Sequence, residues 1–171
     1  VKVIDSCAYE YDLEATLRIV AEFKPEMVVI DTSTPSICSD VRAGAEIKKI
    51  LPGCFVVLIG THPSALPEDT LQLNYAIDAV VVGEADYTVK ELAQKLSHAN
   101  LHAVQSDAAY RNNLLSFIEG IAYRTHSGVY LNKRREFITN LDELPFTSRV
   151  YKKHLDTKKY FFAASDYPEV Q

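Results

Sequence analysis

The sequence predicts an α/β fold built on a doubly wound parallel sheet, and three observations carry that prediction. From Val1 to His98, short apolar runs alternate with longer amphipathic stretches. The runs are nearly continuous in apolar residues, which is how strands covered on both faces read. Each amphipathic stretch is long enough to cross back over the sheet as a helix, and such crossovers are right-handed.

The elements follow in order. Val1-Lys2-Val3-Ile4 reads as a first strand. Leu13–Phe23 is a helix, with Leu13, Leu17, Val20 and Ala21 on one face and Pro25 just beyond it. Met27-Val28-Val29-Ile30 is the second strand. Ser36–Leu51 is a helix with a stripe of Val41, Ala45, Ile47 and Leu51, stopped by Pro52-Gly53. Phe55-Val56-Val57-Leu58-Ile59 is the third strand and the strongest. Pro67–Tyr75 is a short helix, Ala79-Val80-Val81-Val82 the fourth strand, and Tyr87–Leu96 a helix with Val89, Leu92, Ala93 and Leu96 inward. The whole is a flavodoxin-like or Rossmann-like layer over residues 1–98.

Beyond His98 the pattern changes. Ala99–Asn113 is polar and weakly periodic, and it reads as a connector with one helical turn. Gly120–Arg124 and Val129–Leu131 flank His126-Ser127-Gly128, a hairpin signal. Asn140 is placed to cap a short turn that Pro145 ends. Residues 99–146 therefore form a connector and β-hairpin. Residues 147–171 are mixed and aromatic, without a core pattern, and end on the extended Tyr167–Gln171; they read as a linker leading to a further domain.

Composition narrows the function. The 171 residues carry a net charge of −5, which gives no basic footprint for nucleic acid. No apolar run reaches membrane-spanning length, and no signal peptide precedes the first strand. The three cysteines, Cys7, Cys38 and Cys54, are odd in number and far apart, which argues against a disulfide framework and for a cytoplasmic setting. The chain lacks an initiator Met, so its natural start is expected upstream.

In open parallel sheets, ligands bind at the carboxyl ends of the strands. Four loops are predicted there: Asp5-Ser6-Cys7-Ala8-Tyr9, Asp31-Thr32-Ser33-Thr34-Pro35-Ser36, Gly60-Thr61-His62-Pro63-Ser64 and Gly83-Glu84-Ala85-Asp86. All are small and polar, which suits a large, amide-decorated ligand held by many neutral contacts. They do not suit a phosphate loop, since neither G-x-G-x-x-G nor G-x-x-x-x-G-K is present. The candidate contacts are Ser6, Cys7, Thr32, Ser33, Ser36, Gly60, Thr61, His62, Gly83 and Glu84. Each has a plainer reading: glycines needing positive φ at Gly60 and Gly83, a helix cap at Ser36, a solvated loop histidine at His62, a dipole-facing carboxylate at Glu84, and an inert thiol at Cys7. Asp5 and Asp31, at neighbouring strand ends, are one carboxylate per loop. No residues combine into a catalytic set or a metal site, so the local chemistry is that of a binding module.

The ordered combination of motifs resembles a known family. Pro25–Thr32 resembles the second strand of cobalamin-binding domains that stand at the front of radical-SAM enzymes. Ile59-Gly60-Thr61-His62-Pro63 with Leu66-Pro67-Glu68 is similar to that family's G-x-H loop and following Pro-Glu. Asp78–Asp86, then Thr88, Glu91 and Leu92, is similar to its "D-x-V-V-x-G-E-x-E…T…E-L" signature. Gly120–Arg124, Gly128 and Asn140–Pro145 resemble its hairpin and "L-D-E-L-P" linker. The resemblance implies cobalamin as cofactor, and a radical-SAM barrel downstream of Gln171 that carries a [4Fe–4S] cluster and S-adenosylmethionine and acts on a small-molecule substrate. Implied activities are methyl transfer or radical cyclisation and oxidoreduction, as in methyltransferases and the anaerobic magnesium-protoporphyrin monomethyl ester cyclase. The chain's partner would be its own downstream barrel.

Cobalamin mutases and methionine synthase place D-x-H-x-x-G after the first strand. Here Asp5–Asp12 has no His and no Gly, so no imidazole from this loop is expected on cobalt. Two other readings stay open: a cofactor-free docking or regulatory domain, and a receiver with Asp31 as phospho-acceptor, for which Asp5 lacks an acidic neighbour.

Overall fold

The computed structural model describes residues 1–160, and the chain divides into two compact units. One comprises Lys24–Ile138; the other comprises Val1–Phe23 with the chain from Thr139 onward. The predicted linker end, Tyr167–Gln171, lies outside the described residues.

The Lys24–Ile138 unit is a five-stranded sheet with helices on both faces. Its strands are β1 (Met27–Asp31), β2 (Phe55–Ile59), β3 (Ala79–Val81), β4 (Ile121–Thr125) and β5 (Gly128–Leu131), in spatial order β1-β2-β3-β4-β5. β1, β2 and β3 run parallel; β4 is antiparallel to β3, and β5 to β4. The predicted hairpin thus extends the parallel layer into one mixed sheet.

β2 shows why the pattern was readable. Phe55 through Leu58 are fully buried, because this strand has neighbours at both edges and helices on both faces. Phe55, Val57, Ala79, Val81, Ile121 and Tyr123 point to one face, under Leu92 and Leu96 of α5 (Asp86–Ser97), Val104 of α6 (Leu101–Ser106), and Leu115 of α7 (Ala108–Leu115). On the other face α2 (Ile37–Ile50) comes so close that a Cβ on Gly44 would stand 2.7 Å from Ile77 Cδ1 and 3.1 Å from Val56 Cγ1. Arg124 donates to the carbonyls of Leu71, Tyr75 and Ile77, closing the C-terminal end of α4 (Pro67–Leu73).

Three expectations are corrected. Val1–Ile4 is not a strand: Val1 and Val3 are exposed, and no described strand pairs with the segment. A strand exists only through its ladder, so strand-like composition alone cannot make one. The connector after His98 is two helices, α6 and α7. Asn100 Oδ1 accepts the Ala103 N–H at 3.2 Å, and Asp107 Oδ1 accepts those of Ala109 and Tyr110 at 2.8 and 3.1 Å. These caps offset weak periodicity. Thr61–Ala65, expected as loop, is a single helical turn, α3.

The other unit holds α1 (Leu13–Phe23) and α8 (Thr147–His154). Tyr9 Oη accepts the Asp156 N–H at 2.6 Å, and Tyr160 donates its hydroxyl to Asp5 Oδ2 at 2.7 Å. Asn140 accepts the Asp142 N–H at 3.3 Å over the 3-10 turn Leu141–Glu143, as its capping position predicts. No helix among the described residues is long and apolar enough to cross a membrane.

Candidate functional site

The parallel register sets the site. Asp31 lies beside Ile59, and the Thr32 N–H extends the ladder to the Ile59 carbonyl at 3.0 Å. The chain therefore leaves β1 and β2 at the same level, and the two loops meet.

Gly60 makes that meeting possible. Its φ is +106°, and a Cβ there would stand 2.3 Å from the Thr32 carbonyl oxygen and 2.5 Å from Asp31 Oδ1. Both the backbone conformation and the close approach demand glycine. Gly83, at φ +91°, needs it for conformation alone, since open space surrounds its Cβ position.

The β1 loop is cross-linked by its own hydroxyls. Thr32 is 3% exposed, and its hydroxyl donates to Asp40 in the first turn of α2. Ser36 stands at the N-cap of α2, yet its Oγ caps nothing in the helix. It accepts the Ser33 N–H at 3.1 Å and lies 3.2 Å from Ser33 Oγ. Thr34 Oγ1 meets His62 Nδ1 at 3.1 Å, which joins this loop to α3 and gives the histidine a protein partner.

Ser64 was not among the sequence candidates. Its Oγ donates to the Gly60 carbonyl at 2.7 Å and accepts the Gly83 N–H at 3.1 Å. One hydroxyl thereby braces the loops after β2 and β3. Its position four residues after a strand-end glycine was the signal available.

Between the first two loops lies a cavity of about 250 Å³, lined by Asp31, Thr32, Ser33, Ser36, Gly60 and Thr61. Five of these were candidates from the sequence; Asp31 completes the wall. His62 follows β2, and Gly83 and Glu84 follow β3, outside this lining. Ser6 and Cys7 belong to the other unit, where Ser6 Oγ lies 2.8 Å from Thr16 Oγ1 and Cys7 is exposed. Asp5 and Asp31 likewise sit in different units. A larger open groove of about 550 Å³ runs along α5 and α7, past Lys95, His98, Tyr110 and Phe117. It lacks the converging loops of the strand ends, where open parallel sheets bind ligands.

Glu84 is engaged by its own chain: Oε2 accepts the Ile138 N–H at 2.7 Å. Thr88, fully buried, donates to the Glu119 carbonyl at 3.0 Å and accepts from Arg135 Nε at 3.0 Å, and Arg135 also pairs with Glu91. Glu84, Thr88 and Glu91 of the signature thus grip the chain that follows the hairpin.

The profile of the B12 binding domain family matches residues 1–93. The chain belongs to the B12-binding domain family. An uncharacterized methyltransferase of Pyrococcus horikoshii is 34% identical over 149 residues, covering 86% of this chain and 29% of that protein. The chain thus spans less than a third of the length of this relative. Among solved structures, the apo form of the cobalamin-dependent S-adenosylmethionine radical enzyme OxsB matches with a TM-score of 0.56 at 15% identity, covering 74% of this chain and 16% of that one. That likeness bears on the fold, which is the α/β layer of B12-binding domains.

The strand-end residues suit such a ligand. The wall offers hydroxyls and one carboxylate, groups that bind carboxamides. A cavity of about 250 Å³ has room for one end of a molecule the size of cobalamin, not for its whole body.

Proposed function

We propose that the chain binds cobalamin at the carboxyl ends of β1, β2 and β3 and carries it for a radical-SAM enzyme. The observation that supports this reading best is the Gly60 junction. Two loops rich in hydroxyls close to van der Waals limits around a residue with no side chain, and a cavity opens beside them. Thr32, Ser33, Ser36, Gly60 and Thr61 would hold one end of the cofactor, with His62, Gly83 and Glu84 at the rim. Bound cobalamin supplies the cobalt chemistry, including methyl carriage; these residues bind and orient it. No side chain of the Asp5–Asp12 loop is assigned to cobalt, since that loop has no histidine.

The radical-SAM assignment rests on the resemblance of the 78–92 and 140–145 motifs, on the methyltransferase relative, and on the OxsB fold. The whole protein would place the corrinoid against a barrel holding a [4Fe–4S] cluster and S-adenosylmethionine, with methyl transfer or radical oxidoreduction on a small molecule as the outcome. A cytoplasmic location fits the oxygen sensitivity of such a cluster.

Anaerobic expression of the whole protein, with iron, sulfide and hydroxocobalamin supplied, tests this reading. Expected are four irons per chain and a retained corrinoid spectrum. Iron without corrinoid would favour the cofactor-free docking domain, and corrinoid without iron would remove the radical-SAM assignment.

A further inference from the structure

The chain leaving the hairpin has no regular secondary structure from Asn132 to Ile138, yet it is tied down along its length, beginning with the Lys133 carbonyl, which accepts the Gly120 N–H at 2.8 Å. Asn132 Nδ2 donates to the carbonyls of Leu115 and Ile118 at 2.8 and 2.7 Å. Arg135 reaches Thr88, Glu91 and the Glu119 carbonyl. The Ile138 N–H donates to Glu84. Lys133, Arg134, Glu136 and Phe137, in between, are exposed. Ile138 is also the last residue of its compact unit, so the final tie holds the point where the chain departs.

That tie attaches to a turn with a second connection. Gly83, next to Glu84, gives its N–H to Ser64, which is bonded to Gly60. The strap is therefore connected, through the Gly83 turn and Ser64, to Gly60 in the wall of the candidate ligand cavity. We propose that Glu84 is a positioning residue: it fastens the outgoing strap to the ligand edge, so that a corrinoid seated there tightens the chain's exit toward the next unit. The fastening stands on the geometry above, and the tightening rests on the cobalamin reading.

Hydrogen exchange on the 171-residue chain, resolved to peptides covering 132–139, tests both parts. Glu84→Ala should speed exchange at Ile138 at least tenfold while the β2 and β3 amides stay as in the wild type. Glu84→Gln, whose amide oxygen still accepts, should restore most of the protection. Saturating hydroxocobalamin, with binding followed by its visible spectrum, should slow exchange over 134–138 in the wild type and not in Glu84→Ala. Unchanged exchange in Glu84→Ala would overturn the fastening. A bound corrinoid that leaves strap exchange unaltered would overturn the coupling. Absence of any corrinoid binding would overturn the coupling through the cobalamin reading itself, while the ligand-free comparison still decides the fastening.

Discussion

Lys48 Nζ lies 2.7 Å from Asp78 Oδ2 at the amino ends of the strands, with 14% and 5% of the two side chains exposed. The ammonium also donates to the Cys54 carbonyl and Gln105 Oε1, and the carboxylate accepts the Val56 N–H at 2.7 Å. One pair thus joins α2, β2, β3 and α6 at the edge opposite the ligand loops.

Asp78→Leu leaves Lys48 and the Val56 N–H without their shared acceptor and should cost about 3 kcal/mol in urea unfolding. Asp78→Asn keeps an oxygen for both hydrogen bonds but not the charge opposite Lys48, and should cost less than Asp78→Leu. Burial raises the Asp78 pKa, with Lys48 opposing it. A carboxyl raised in the folded state contributes stability that is present below its ordinary range and lost as the pH rises through the folded value. The stability difference between wild type and Asp78→Asn should therefore shift toward the wild type as the pH falls through that window.

Two glycines give opposite outcomes on replacement by alanine. Gly53 has open space at its Cβ position, whereas Gly60 combines φ +106° with backbone 2.3 Å away. Gly53→Ala should change stability by less than about 1 kcal/mol in either direction. Gly60→Ala should lose about 3 kcal/mol or more, because something must move to admit the methyl group. Thermal or urea unfolding of the two variants side by side checks this.

The three cysteines should separate in thiol labelling. Cys7 and Cys38 are exposed, while Cys54 is buried and its thiol is pushed up to about 11, chiefly by burial. At pH 8 a disulfide-exchange reagent should modify two thiols promptly and the third only after unfolding, with mass spectrometry placing the slow site at Cys54.

The sequence was most legible where a strand is enclosed. The apolar run at Phe55 predicted β2 to the residue, because neighbours on all sides leave no polar position; the run at Met27 predicted β1 nearly to the residue although β1 is the edge strand and Val29 is exposed. α6 and α7 were missed because α7 buries only Leu115 and its periodicity is faint; the caps at Asn100 and Asp107 were the readable clue. Asp107→Ala should therefore cost about 1 kcal/mol, seen as a lowered urea midpoint. At the site, Gly60 and the hydroxyls of the loops after β1 and β2 were legible as a group through their shared strand-end position. The brace at Ser64 and the grip of Glu84 on Ile138 were not, since both depend on contacts between distant segments.

Equilibrium dialysis of the 171-residue chain against hydroxocobalamin, run beside a Gly60→Ala variant held well below its unfolding midpoint, tests the cobalamin assignment most directly. The account predicts saturable binding of one corrinoid per wild-type chain and at least a tenfold weaker affinity in the folded variant. No saturable binding by the folded wild type, or equal binding by both proteins, would contradict it.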